Sequence, residues 1–347
     1  MITPALSAVR RLSVAALVVA FLHIVFGAVV RITGSGMGCL TSWPRCADPV
    51  TGVVAWFPPF DQPTLVIEWL HRLFAAVLIS TIAALVVTAF ARREAAGVAG
   101  RGGVLRAAGL ALLISLVAAV FGAVTVKEQN TAWATASHKV IAVSLLATLA
   151  ATVMRGGGLG ARGAVAARAA GRGTAKAVRG ATAAAGLALA AVLLGSLTAK
   201  VAGAVSACQG FPFCTAAYAG GAAHIQLAHR ITAYLLALHL VGLLFAFAKR
   251  REAGPVITAA RVALGLVVLQ VVLGAAMVTG HYVTAIRSLH QANGVALWLT
   301  AFAMTYLARM AAGRTVPAWA DDDAEMVRRA RVGGVGAAGA ASAAAAA

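Results

Sequence analysis

Apolar stretches of about 20 residues recur from one end of this sequence to the other, and no other feature restricts its fold so severely. Stretches of that length are long enough to cross a bilayer as helices, which satisfy every backbone polar group within the segment. Only 11% of the residues are charged, against about 25% in an ordinary soluble domain. A cytosolic enzyme and a secreted disulfide miniprotein are thereby excluded. Eight spans are expected, at about 12–30, 65–90, 104–126, 132–154, 181–200, 222–248, 257–279 and 286–309. The first is followed too closely by further spans to be a cleaved leader, so it is read as a span.

The formal charge of +19 raises the question of nucleic acid, but its distribution answers differently. The N-terminus, the loops after even-numbered spans and the C-terminus carry all but eight of the 29 basic residues. The eight on the other face are Arg31, Arg45, Arg72, Lys127, Lys139, Lys200, Arg230 and Arg287. The positive-inside rule then predicts a multi-pass plasma-membrane protein with both termini cytoplasmic, and the charge is accounted for by topology without nucleic acid. Residues 155–180 hold little but Gly, Ala and Arg and read as a flexible cytoplasmic connector. Residues 312–347 read as a disordered cytoplasmic tail. The abundance of alanine is read as compositional bias.

The chain also repeats itself. The first span ends FGAVVRITGSGMGCLTSWPRC and the fifth LGSLTAKVAGAVSACQGFPFC. The second opens IEWLHRLFAAVL and the sixth IQLAHRITAYLL; GAVTVKE of the third resembles GAAMVTG of the seventh. SHKVIAVSLL of the fourth pairs with LHQANGVALW of the eighth. Offsets drift slowly, from 169 for Cys39 and Cys208 to 158 for His71 and His229 and 152 for His138 and His290. A duplicated four-span unit explains this, and its even span number gives both copies one orientation. The expected fold class is an all-α integral membrane protein whose eight transmembrane helices form two tandem, pseudo-symmetric four-helix bundles. Its domains are 1–154 and 181–311, joined by 155–180.

A histidine within a span is costly unless partnered. Four of the eight histidines occupy repeat-matched positions: His71, His138, His229 and His290. Each lies five to seven residues into an even-numbered span, so all four share one depth, roughly 8–10 Å below the outer boundary. Two facing imidazoles per bundle suit a six-coordinate haem in an apolar slot, whereas a catalytic zinc takes three protein ligands. His23 and His239 lie deeper without a match, and His224 and His281 lie near the surface; these four are set aside. Arg72 and Arg230 directly follow a matched histidine and are candidates for haem propionates.

Cys39, Cys46, Cys208 and Cys214 all fall in loops on the oxidising side, where disulfides form. Four cysteines allow three connectivities; pairing within each loop is expected, and a bridge between halves stays open. The absence of C-x-x-C argues against zinc and iron–sulfur clusters. The halves differ at one chemically pointed place. Glu68 stands one helical turn before His71, and its counterpart is Gln226, which cannot ionise.

With the duplicated eight-span plan, the two cysteine pairs, and E-x-x-H at Glu68–His71 joined by His138, His229 and His290, the chain resembles the haem A synthase family from about residue 10 to 310. The resemblance implies an oxidoreductase that converts a methyl group of haem O to a formyl group through successive hydroxylations and loss of water, giving haem A for terminal oxidases. It further implies that His71 and His138 flank substrate haem O in the first half, with Glu68 serving the chemistry. His229 and His290 would ligate a haem b cofactor in the second. Its partners would be a haem O synthase as source of substrate, an electron-transfer partner and the bilayer; a homo-oligomer is compatible with this plan. A bis-histidine cytochrome b-type carrier and a haem transport or assembly protein are the competing classes. The carrier usually stacks haems at two depths, and the transporter has no use for a carboxylate at one haem alone.

Overall fold

The computed structural model describes residues 3–39, 45–47, 52, 54–214, 216–217, 221–280 and 283–320. Among them, eight helices are long and apolar enough to cross a membrane. They are α1 (Pro4–Ile32), α2 (Pro63–Ala91), α3 (Val104–Lys127), α4 (Ala132–Arg155), α6 (Ala175–Thr198), α7 (Gly221–Lys249), α8 (Gly254–Thr279) and α9 (Thr284–Ala311). The protein is therefore an all-α, multi-pass membrane protein. A shorter helix, α5 (Ala161–Ala169), lies between α4 and α6.

Two spans begin earlier than hydropathy alone suggests, because capping decides where a helix starts. Thr3 caps α1 by accepting from the Leu6 amide at 3.2 Å, and Pro4 fits the first turn, where no amide donor is needed. Thr174 caps α6 through the Ala177 amide at 3.1 Å. Its own hydroxyl donates to Glu252 Oε1 at 2.5 Å, and its amide to Oε2 at 3.2 Å. Glu252 is buried and also pairs with Arg250 at 3.3 Å, so a carboxylate sits at the positive end of α6. The fifth span thus starts at Ala175, inside what reads as connector.

That connector is not loose. Ala161 and Ala164 are fully buried, and Gly160 and Gly163 lie against Pro255. Gly173 touches the Ala311 backbone so closely that no side chain fits there. Glycine here serves close approach, not flexibility. The segment after α9 is likewise not free up to residue 320. Trp319 is 7% exposed and packs with Leu6, Val98 and Val104, while Gly102 admits the backbone of 316–318. The rest of the expected tail, 321–347, lies outside the described residues.

The two sets of four spans have equivalent neighbours. α1 packs on α2 and α4, and α3 on α2 and α4; α6 packs on α7 and α9, and α8 on α7 and α9. The seams are built from alanine at helical spacing, such as Ala177, Ala181, Ala184 and Ala188 on α6 or Ala260 and Ala263 on α8. Small residues let helix backbones approach where lipid offers no hydrophobic drive for association. The alanine content has a structural use that composition does not disclose. Large side chains such as Val87, Leu238 and Phe245 face outward, as a lipid-exposed surface requires.

The sets meet through α4, α9, α1 and α6. Lys139 donates to Gln291 Oε1 at 2.9 Å, and these two residues follow the matched histidines His138 and His290. Arg155 Nε donates to Tyr306 OH at 3.0 Å, and Lys200 to the Asn130 carbonyl at 3.1 Å.

Candidate functional site

Each matched histidine is seated the same way. His71 and His229 are the ninth residues of α2 and α7; His138 and His290 are the seventh of α4 and α9. All four lie within about 9–12 Å of the helix start at 1.5 Å per residue. Every ring lies against a glycine of the preceding helix. A Cβ built on Gly27 would meet His71 Cε1 at 3.0 Å, on Gly122 His138 at 3.5 Å, on Gly195 His229 at 3.0 Å, and on Gly274 His290 at 3.4 Å. The sequence carries this signal as FGA, FGA, LGS and LGA near the ends of α1, α3, α6 and α8. Sequence reasoning missed it.

The second set holds a cleft of about 1360 Å³, including its open mouth, lined by His229, His290, Gln226, Arg230 and Gln270. Its walls are mostly apolar, with a few polar and cationic side chains at intervals, as in a cofactor site. His229 Nδ1 lies 2.9 Å from the Ala191 carbonyl, which can only accept, so Nδ1 carries the proton and Nε2 the lone pair. Hydrogen bonds fix His290 in the same tautomer. Asn293 Nδ2 donates to the Leu266 carbonyl at 2.9 Å and to Gln270 Oε1 at 2.7 Å. Gln270 therefore presents its amide nitrogen to His290 Nε2 at 3.0 Å, where the ring must accept. His290 Nδ1 is buried without a hydrogen-bond partner among the described residues.

The His229 and His290 rings have centroids 6.3 Å apart and planes at 69°. Two trans metal–imidazole bonds of about 2 Å each, plus the distance from nitrogen to ring centre, require about 6 Å. His229 Nε2 carries a lone pair, and His290 Nε2 would be available once the Gln270 amide moves off it. Rings at this spacing beside a largely apolar cleft fit a bis-histidine haem. Among the described residues no three of His, Cys, Asp and Glu converge as a metal ion held by side chains alone would need.

In the first set His71 has a different neighbour. His23, set aside on sequence, stacks on its ring at 4.3 Å and 19°, with Phe26 6.3 Å away. His23 stands four residues before Gly27, on the same face of α1, and that spacing was the available signal. With the repeat offset of 168 that matches Gly27 to Gly195, its counterpart is Ala191, whose carbonyl holds His229. His71 Nδ1, His138 Nδ1 and His23 Nε2 are all buried without hydrogen-bond partners among the described residues.

The cysteines pair within loops, Cys39 with Cys46 and Cys208 with Cys214. Short ladders flank them, β1 (Cys46–Ala47) with β2 (Val54–Ala55) and β3 (Cys208–Gln209) with β4 (Ala216–Ala217). Both matched arginines reach these loops. Arg72 Nη1 donates to the Arg45 carbonyl at 3.0 Å; Arg230 donates to Cys208 and Gly210 carbonyls at 2.7 and 2.9 Å. Glu68, 3% exposed, pairs with Arg72 at 2.6 Å through Oε1 and accepts from the Cys39 amide at 2.9 Å through Oε2. Gln226 Oε1 is buried with no hydrogen-bond partner among the described residues.

Fold and site together define a multi-pass helical membrane protein with two matched histidine pairs beneath two disulfide loops. Residues 58–302 match the COX15-CtaA family model, described as cytochrome oxidase assembly protein. The chain belongs to that family. A protein named haem A synthase from an Exiguobacterium species is 28% identical over 273 residues, covering 78% of this chain and 83% of the relative. Haem A synthases of Bacillus pumilus and Geobacillus kaustophilus match shorter stretches. The first is 38% identical over 80 residues (23% of this chain, 24% of the relative) and the second 45% over 51 (15% and 14%).

Proposed function

We propose that this protein is a haem A synthase that oxidises a methyl group of haem O to a formyl group, with haem O as substrate and haem b as cofactor. The first set of spans is the substrate half and the second the cofactor half. The observation that carries this division is the difference between two otherwise matched sites. The first has a buried carboxylate, Glu68, and a second imidazole, His23, beside its histidine; the second has Gln226 and Ala191. A copy that keeps the ligand pair but has neither a carboxylate nor a further imidazole beside it suits electron transfer rather than proton transfer.

Held between His229 and His290, haem b supplies reversible one-electron iron chemistry. The Ala191 carbonyl holds His229 Nδ1 and leaves Nε2 to bind. Gln270 keeps the lone pair on His290 Nε2 by donating to it and would hand that nitrogen over when haem enters. His71 and His138 flank the substrate macrocycle. Glu68, near the cysteine-loop end, takes up a proton or stabilises positive charge developing at the methyl carbon. Arg72 holds the carboxylate in place through Oε1. The disulfide loops cap both slots and restrict water. By the positive-inside rule those loops lie outside and both termini inside the plasma membrane. A haem O synthase supplies the substrate and a separate electron-transfer partner serves the cofactor half.

Co-expression with a source of haem O tests this directly. Chromatography and mass measurement of extracted haem should show the methyl group replaced by formyl only when this chain is present. Unaltered haem O alongside a fully haem-loaded protein would assign the chain to haem transport or electron transfer.

Gly195 allows a sharper check on the cofactor half. An added Cβ would stand 3.0 Å from His229 Cε1 and force the ring to tilt, an overpacking cost of roughly 1–3 kcal/mol, partly offset by about 1 kcal/mol of helix propensity. Gly195→Ala should therefore retain the fold but bind haem b roughly tenfold more weakly. Gly186→Ala, on the same helix with nothing within 4 Å, should be silent. Equal haem affinity in the two variants would show that the close seat does not position His229.

A further inference from the structure

On sequence the propionate-binding residues are Arg72 and Arg230, yet both spend guanidinium hydrogen bonds on their own cysteine loops. The cleft of the second half has other cations at its rim. Arg31 of α1, Lys139 of α4 and Arg287 of α9 all line it, and all are half-buried. Two of the three belong to the first half. None has an ion-pair partner among the described residues, and neither Arg31 nor Arg287 donates a side-chain hydrogen bond there. Arg31 lies within electrostatic range of both Arg287 and Lys139, so the group repels itself.

The positive-inside rule makes the cluster more pointed. Basic residues are sparse on the cysteine-loop face, eight in the whole chain, and four of those eight line this one cleft. Three half-buried cations without carboxylates make a natural seat for an anion. A haem whose iron lies between His229 and His290 carries two carboxylates on one edge, and guanidinium and ammonium groups are the natural donors to them.

Building on the haem b reading above, we propose that Arg31, Lys139 and Arg287 form a carboxylate-binding rim, so that the first half clamps the propionates of the haem ligated by the second. The repeat supports a directional arrangement. At the offset of 168 that aligns Gly27 with Gly195 the counterpart of Arg31 is the neutral Ala199, and the adjacent Lys200 donates to the Asn130 carbonyl across the boundary into the first half. The counterpart of Lys139 at offset 152 is the neutral Gln291. Each half reaches toward the other, but the cationic rim is concentrated on the second half's cleft. Cofactor loading then depends on correct docking of the two halves.

The test uses the full chain, produced under haem limitation, purified in neutral detergent and titrated by absorbance with haem b and with its dimethyl ester. The ester keeps iron and macrocycle but removes both negative charges. Wild type should bind the diacid at least ~10-fold more tightly, since hydrogen bonds to charged groups are each worth about that factor. Arg31→Gln with Arg287→Gln should abolish the preference while leaving the ester's affinity unchanged, and Arg31→Lys should restore most of it. Equal binding of diacid and ester by wild type would overturn the proposal. So would equal losses for both ligands in the variant, which would mark the residues as structural. A phosphatidylglycerol headgroup at the rim would instead show as lipid co-purifying with wild type but not the variant, with diacid and ester bound alike. Failure of both ligands to bind would reject the haem b reading itself and is distinguishable from each of these results.

Discussion

Glu68→Gln should lower conversion of haem O by ~10²–10⁴-fold, the range expected for loss of a general acid–base group, while haem b in the second half persists. The substitution gives the first half the amide that Gln226 already provides in the second. The structure adds a second duty for this carboxylate, because its two oxygens hold Arg72 and the Cys39 amide. An amide keeps one acceptor but turns a donor toward one of these partners. Breaking a buried pair also strands a charge, up to ~3–5 kcal/mol in a dry site. Arg72 is 12% exposed at its side chain and keeps the Arg45 carbonyl, so the loss should be smaller here. Arg72→Gln separates the two duties. It releases the anchor yet keeps the carboxylate, and it should cost turnover far less than Glu68→Gln. Gln226→Glu should leave turnover largely intact. Matching losses in Glu68→Gln and Arg72→Gln would make the carboxylate a loop anchor only. Near-normal haem A formation by Glu68→Gln, with haem b content unchanged, would show that this residue does not distinguish the halves.

His229→Ala and His290→Ala should each remove the low-spin bis-histidine spectrum of the purified protein and weaken haem b binding by at least ~100-fold. Losing even a residue that only hydrogen-bonds a metal-bound histidine costs about 10–100-fold, and these two are the ligands themselves. Among the described residues no third histidine lines the cleft, and Gln270 offers only an amide donor to this space. His23→Ala, in the other half, should leave the haem b spectrum unaltered. Its effect belongs to the substrate site, where the ring stacks on His71. Retention of the full low-spin signal in both ligand variants would place the cofactor elsewhere.

Several of these features are legible in the sequence because they depend on period and position alone. Eight apolar stretches fix eight helices. The repeat offsets align His71 with His229 and His138 with His290, and on parallel spans equal offsets mean equal depth. Loop cysteines only six or seven residues apart could pair locally, and they do. The Glu68–Gln226 difference is also plain in one dimension. The same reasoning set His23 aside because a lone histidine on a span has no partner until α1 and α2 are packed face to face. It read glycine in the connector as freedom, although Gly173 is there to admit the Ala311 backbone.

Sequence by itself determined the membrane class, the helix number, the duplication and the four matched imidazoles, all of which follow from hydrophobic periodicity and covalent spacing. Only the tertiary structure decided what surrounds each imidazole. Four glycines seat the rings, Ala191 and Gln270 select their tautomers, and His23 joins His71. Arg72 and Arg230 turn to the cysteine loops, and Arg31 and Lys139 reach the other half's cleft. These are contacts between different helices, set by which faces pack together; the FGA, FGA, LGS and LGA triplets mark the four glycines in the sequence but not what packs against them.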